Sequence, residues 1–408
     1  MSTNGKEAPA PEVAVSAPAT TVPAASAPAG AAPAVVPTAK IIAAMLNYAK
    51  GISDLIISPG RPPQVEVSGQ LVPVPINGIS KLMPEDTARI ASDILGQNKL
   101  AIQTLKEHGA TDLSYSLPQQ ARFRVNIFRQ RGTYAAVMRV IPSKIPSFDD
   151  LKLPEELKQT AGLKNGIVLV TGPTGSGKSS TLAAIIDLIN NEHAEHIITI
   201  EDPIEFLHPH KKATIHQREL HSDTPSFSLA LRAALRQAPK VILVGEMRDK
   251  ETIEIALTAA ETGHVVFSTL HTIDASKTVE RIIGVFPMAD QAAIRQRLAA
   301  SFRYFVSQRL LPKKDGSGRI AVLEILKSSL RTREYIEKGE QEEGRSLLDA
   351  MKDGEIEGMQ YFDGEIEKLI RAGVIDYQTG MAFSTNAGNL RLQLSDLPSE
   401  ESDDVFER

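Results

Sequence analysis

Apolar positions follow two different patterns along this chain. Between about 38 and 145 they come in short, mixed runs. Ile41-Ile-Ala-Ala-Met-Leu-Asn-Tyr-Ala has helical spacing, with Thr38 as its expected N-cap. Gly51-Ile-Ser-Asp-Leu-Ile-Ile-Ser turns into a strand, Pro59-Gly-Arg-Pro-Pro into a turn, and Val65-Glu-Val-Ser-Gly-Gln-Leu-Val-Pro-Val alternates like a hairpin. Helices are expected over 83–95 and 99–108, and alternating strands over 112–117, 121–128 and 133–141. This predicts a compact α/β domain over 38–145 with an antiparallel sheet, closed by the linker Pro142-Ser-Lys-Ile-Pro-Ser. From Asp149 onward, short apolar runs alternate with helical segments, the pattern of a mostly parallel sheet. Strands are expected at 167–170, 196–200, 241–244 and 264–270, and helices at 182–190, 227–237 and 251–261. Beyond about Pro287 the pattern predicts mainly helix with one strand over 319–325, and C-terminal helices from about 326. This second unit is assigned residues 146–400. Residues 1–37 are Ala, Pro, Val, Ser and Thr with almost no charge, which predicts a disordered tail, either a tether or a solvated segment without a specific role.

The sharpest local signal is Gly172-Pro-Thr-Gly-Ser-Gly-Lys178-Ser179, the full pattern G-x-x-x-x-G-K-[ST]. It follows a β-branched apolar run and precedes a helix. Its glycines let successive backbone N–H groups aim at phosphate oxygens, and the helix that follows presents its positive end to the same anion. Thr174, Gly175, Ser176, Gly177, Lys178, Ser179 and Ser180 are therefore the expected ATP-binding residues. Lys178 is expected on the β- and γ-phosphates, with the Ser179 hydroxyl on Mg²⁺.

In a parallel sheet the ligand crevice lies at the carboxyl ends of the strands. Two expected strands end there in acids. Glu246 follows 241–244 directly, placed to orient a water for attack on the γ-phosphate. Glu201, Asp202 and Glu205 form a second acidic group, costly at a buried strand end unless a cation such as Mg²⁺ is near. His264 and His271 flank the third strand, either as structural residues or beside phosphate. Arg122, Arg124 and Arg139 lie on strands of the first domain. They form either a solvated basic face or the arginines that neutralise transition-state charge.

Composition narrows the function further. In 408 residues the net charge is −5, against binding of nucleic acid by bulk charge. There is no cysteine, which removes disulfides and thiolate zinc sites. No run approaches the roughly 20 apolar residues of a spanning helix, and no secretory signal is apparent, so a cytoplasmic location is expected.

With the phosphate loop, Ile-Glu-Asp-Pro-Ile-Glu (200–205), Val-Gly-Glu-Met-Arg-Asp (244–249) and Thr-Ala-Ala-Glu-Thr-Gly-His…Thr-Leu-His-Thr (258–272) in this order, the chain resembles the secretion-superfamily ATPases. Within these it resembles the type IV pilus retraction ATPases, the PilT and PilU type, over about 38–396. The resemblance implies a PAS-like N-terminal domain followed by a RecA-like ATPase domain, assembled as a homohexamer. It implies a motor at the cytoplasmic face of the inner membrane, acting on a pilus platform protein to drive retraction and twitching motility. On this resemblance Glu201, Asp202 and Glu205 form an Asp box, Glu246 is the Walker B glutamate and general base, His264 and His271 form a His box, and Arg122, Arg124 and Arg139 reach toward nucleotide phosphate.

The sequence also departs from that family. Arg236-Gln-Ala-Pro-Lys240 stands where Arg-Glu-Asp-Pro-Asp is usual, and Ile56 where His is frequent. Leu330-Arg-Thr-Arg-Glu-Tyr-Ile replaces the Ala-Ile-Arg-Asn motif of the main retraction enzyme, and the C-terminal run from Gly358 is nearer PilU. Both a main motor and an accessory motor working beside a second retraction ATPase stay open. So do an assembly or secretion ATPase, against which the missing cysteines speak, and a regulatory nucleotide-binding subunit. A nucleic-acid translocase would need basic, aromatic-interleaved loops, and only 5% of residues are aromatic.

Overall fold

Six antiparallel strands build the first sheet: β1 (Ile52–Ile57), β2 (Gln64–Val67), β3 (Gln70–Pro73), β4 (Ala110–Leu117), β5 (Ala121–Gln130) and β6 (Thr133–Ile141). They lie in the order β3-β2-β1-β6-β5-β4 in this computed structural model, which describes residues 36–142, 144–340 and 345–397. Residues 1–35 of the Ala/Pro-rich stretch lie outside the described residues. Strict alternation in β5 buries Phe123, Val125 and Ile127 under the helices Thr38–Leu46 and Pro84–Leu95 and turns Arg122 and Arg124 to the opposite face. Thr38 is not the N-cap of its helix. Pro37 holds that position without a side-chain bond, and the Thr38 hydroxyl donates to Asp93 instead.

The second sheet has seven strands: β7 (Gly166–Thr171), β8 (His196–Glu201), β9 (Thr214–Glu219), β10 (Val241–Val244), β11 (Val265–Leu270), β12 (Phe302–Pro312) and β13 (Arg319–Lys327). Their order is β13-β12-β7-β11-β10-β8-β9, parallel except for β13. Every residue of β7 and β11 is buried, which explains their unbroken apolar runs. One face carries the helix Lys178–Glu192 through Leu182, Ile185, Ile186 and Ile189. The other carries Phe227–Ala234, Lys250–Glu261 and Met288–Ser301 through Leu231, Leu257 and Leu298. This is the mostly parallel α/β layering that the strand–helix alternation predicted and the RecA-like fold that the resemblance implied.

Two strands were not anticipated. The reading of mainly helix with a single strand after Pro287 fails at β12, an eleven-residue strand inserted beside β7. Phe-Arg-Tyr-Phe-Val-Ser-Gln-Arg-Leu-Leu-Pro has no clean period of two, because contacts on both faces bury most of it. Strand β9, Thr-Ile-His-Gln-Arg-Glu, is a polar edge strand that only its pairing with β8 defines. From Leu330 the described chain is helical, and Phe362, Ile366 and Leu390 pack there on Leu311 and Val322 of β12 and β13. Among the described residues no helix is long and apolar enough to cross a membrane.

Candidate nucleotide site

The end of β7 opens directly into the phosphate loop. Gly172, Gly175 and Gly177 have φ of +143°, +78° and +90°. A Cβ on Gly172 would meet the Gln308 carbonyl oxygen at 2.4 Å and the Ser176 hydroxyl at 2.6 Å, so glycine is required for space as well as conformation. Lys178 starts the following helix and is buried. Its ammonium donates to the carbonyls of Gly172 and Pro173 at 2.9 Å each, which folds the loop around it. Burial pulls its pKa down, and the carboxylates of Glu205 and Glu246 pull it back up, so both acids are felt at the loop.

The loop floors a cavity of about 790 Å³, within the range of small-molecule sites. Thr174, Gly175, Gly177, Lys178, Ser179 and Ser180 line it, together with Glu201, Asp202, Glu205, Glu246, His271 and Arg124. Ser176 lies just beneath, its hydroxyl buried without a hydrogen-bond partner among the described residues. The acids converge because parallel strands β8 and β10 end side by side. The Gly245 amide donates to the Ile200 carbonyl at 2.7 Å, and Thr269 at the end of β11 donates to the Gly245 carbonyl at 2.6 Å.

Glu201 is anchored, its carboxylate accepting from Thr199 at 2.6 Å and from Gln217 at 3.0 Å. Burial pushes its pKa up, against those bonds. Across the mouth Glu246 faces the Arg248 guanidinium, Nε at 2.6 Å, and the His271 ring, Nε2 at 3.6 Å.

The three arginines part company. Arg124 lines the cavity. Arg122 forms an ion pair at 2.8 Å with Glu219, a buried acid on β9 that also accepts the Ile204 amide next to the 201–205 acids. Arg139 sits opposite Arg124 across the β5–β6 pair but is held at 3.1 Å by Asp54 and is largely exposed. His264 is also set apart. It precedes β11, its ring nitrogen against the Ala259 carbonyl at 3.0 Å, while His271 follows the strand's other end, about 20 Å away at strand rise.

Three residues of the site were not singled out from sequence. Arg248 had a visible cue, two positions after Glu246. Arg319 lines the cavity from the start of β13. Gln308 of β12 is buried under the loop, donating to the Ser176 carbonyl at 2.8 Å and accepting from the Thr181 hydroxyl at 2.7 Å. Both of the last two depend on pairing across the β12 side of the sheet, which no local pattern reveals.

Fold and site together define a RecA-like P-loop ATPase. Residues 81–351 match the family model for type II/IV secretion system proteins, and the chain belongs to that family. It is 44% identical over 326 residues to the type IV pilus retractation ATPase PilT of Pseudomonas aeruginosa, covering 80% of this chain and 92% of that protein. It is 39% identical over 365 residues to the type IV pilus ATPase PilU of the same organism, covering 90% and 93%. A solved structure of the pilus retraction motor PilT with bound ADP superposes with a TM-score of 0.75 at 41% identity, over 85% of this chain and 97% of that one. These are the relatives toward which the four motifs pointed.

Proposed function

We propose that this chain is a motor ATPase that couples ATP hydrolysis to type IV pilus retraction, as the main or the accessory motor. The observation that carries it is one cavity holding the phosphate loop, Glu246 at the end of β10 and the acids at the end of β8. The names of its relatives, among them a twitching motility protein of Neisseria gonorrhoeae at 45% identity, supply the process. In this reading residues 38–145 form a PAS-like domain and 146–400 the ATPase domain. Subunits assemble as a homohexamer at the cytoplasmic face of the inner membrane, against the pilus platform protein.

Lys178 and the loop amides hold the β- and γ-phosphates. The Ser179 hydroxyl with Asp202 and Glu205 offers an all-oxygen donor set, the chemistry Mg²⁺ prefers when phosphates complete its shell. When bound, that ion would neutralise phosphate charge. Glu246 takes a proton from the attacking water, with Arg248 and His271 orienting its carboxylate. Arg124, projecting from the first sheet, covers charge on the transferring phosphoryl group.

The altered stretch Arg236–Lys240 bears little on this chemistry. Lys240 lies at the amino end of β10, about 20 Å from Glu246 at strand rise, and its ammonium caps the carbonyls of Lys164 and Gly263. The test is ATP turnover by the full chain together with its mass in solution, with and without Mg·ATP. Turnover by a hexamer that Glu246→Ala abolishes, with ATP binding retained, is expected. Normal turnover by Glu246→Ala would remove the assignment of the base, and a hexamer that binds ATP without hydrolysing it would favour the regulatory subunit.

A further inference from the structure

Strand β13 contains one acid in the middle of an apolar run, Ile-Ala-Val-Leu-Glu324-Ile-Leu. Glu324 is 4% exposed, beside Thr171, Ser307 and Ala275, each 0% exposed. With no ion-pair partner among the described residues, a carboxylate buried this deeply is costly unless hydrogen bonds hold it.

What Glu324 orders can be traced bond by bond. The Thr171 hydroxyl, one residue before Gly172, donates to the Ser307 hydroxyl at 3.2 Å. The Ser307 hydroxyl donates to Glu324 Oε1 at 3.2 Å, and the Ala275 amide donates to the same oxygen at 2.7 Å. Ala275 is the first residue of the helix Ala275–Gly284, and the loop ahead of it carries His271, which faces Glu246. The carboxylate thus ties the strand that carries the phosphate loop to the loop that carries His271, across β12 and β13. Burial, with the nearby charge of Asp274, raises its pKa to about 7, while the Ala275 amide, Ser307 and Arg309 act in the opposite direction. The carboxyl is held against a real desolvation cost.

We propose that Glu324 is a positioning residue for ATP turnover, fixing the 271–275 loop so that His271 meets Glu246 while β7 delivers the phosphate loop. This rests on the proposed ATPase function. It predicts a specific split, because Gln308 braces the loop independently of Glu324. In Glu324→Ala, kcat should fall roughly tenfold, the effect of one buried hydrogen bond lost, while KM for ATP stays within about twofold. Amide exchange over 271–275 should accelerate, with exchange in 167–170 unchanged. The conservative Glu324→Gln retains a carbonyl acceptor for the Ala275 amide and should recover kcat to within about threefold.

Ala275→Pro cuts the same tie from the other end. Proline is tolerated at the first position of a helix, and Asp274 already has the extended conformation, φ −156° and ψ 174°, that a following proline requires. Its Cδ would take the place of the 2.7 Å bond to Glu324 Oε1, so it is read in the Glu324→Ala background, where that oxygen is gone and the proline should lower kcat no further. Glu324→Val, which fills the strand position with an apolar side chain, should show the same kcat loss and decides the question if Glu324→Ala does not fold. Unchanged kcat in folded Glu324→Ala or Glu324→Val overturns the proposal. If the wild-type chain turns over no ATP, the ATPase reading itself fails, and unchanged exchange over 271–275 in Glu324→Ala would independently overturn the tie.

Discussion

Gln308→Ala is the most informative single change at the nucleotide site, because Gln308 belongs to no phosphate-loop motif. The substitution removes the donor to the Ser176 carbonyl and the acceptor of the Thr181 hydroxyl. Ser176 and Thr181 are 3% and 0% exposed, so both bonds are made away from solvent. Two buried groups left unsatisfied cost about 2–4 kcal/mol of stability. The functional effect comes from lost preorganisation: a loop whose inner wall is no longer braced must order itself on binding. A roughly tenfold weaker ATP affinity is expected, about 1.4 kcal/mol. The assay is urea unfolding with and without nucleotide. At a ligand concentration about a hundredfold above the wild-type Kd, ATP should stabilise the wild type by about 2.7 kcal/mol and the variant by about 1.4 kcal/mol. Gln308→Glu keeps the shape but turns a donor into an acceptor facing the Ser176 carbonyl, beneath the phosphates, and should bind ATP more weakly still. If Gln308→Ala loses stability but binds ATP as tightly as wild type, then β12 supports the fold alone and the bracing argument is wrong.

Three further substitutions can be checked alongside. Gly172→Ala should abolish ATP binding in a filter or fluorescence assay, because its Cβ would lie 2.4 Å from the Gln308 carbonyl. Gly175→Ala meets nothing within 4 Å and should cost only left-handed strain of about 1–2 kcal/mol. Arg122→Ala should destabilise the chain by about 1–3 kcal/mol, since Glu219 stays buried while Arg122 is one-fifth exposed. Burial raises the Glu219 pKa, but the Ser114 hydroxyl, the hydrogen bond and charge of Arg122 and the Ile204 amide together outweigh it and leave it below the ordinary 4.5. A depressed carboxylate pKa stabilises above the unfolded value and loses that contribution as pH falls through the folded one. The difference between wild type and Arg122→Ala, read from thermal melts, should therefore be largest near neutrality and shrink below about pH 4.5. A difference independent of pH would mean the pair does not act through charge.

The sequence by itself determined whatever depends on neighbours along the chain. The phosphate loop is legible because its glycines, Lys178 and Ser179 act through one continuous stretch of backbone. Glu246 and the 201–205 acids are legible because each follows an apolar run that can only be a buried strand, and parallel strands put their carboxyl ends together. The alternation of β5 likewise placed Arg122 and Arg124 on one face. The tertiary structure decided which of three similar arginines reaches the cavity, since that depends on partners far along the chain: Glu219 holds Arg122 and Asp54 holds Arg139. Of the two histidines that the sequence already set at opposite ends of one strand, it put His271 in the cavity wall and His264 against the Ala259 carbonyl. It also placed Phe302–Pro312 beside β7, because a strand covered on both faces leaves no periodic trace. Gln308 and Glu324, the two side chains that brace the site from beneath, became visible only with that pairing, since their partners lie as far as 132 and 49 residues away along the chain.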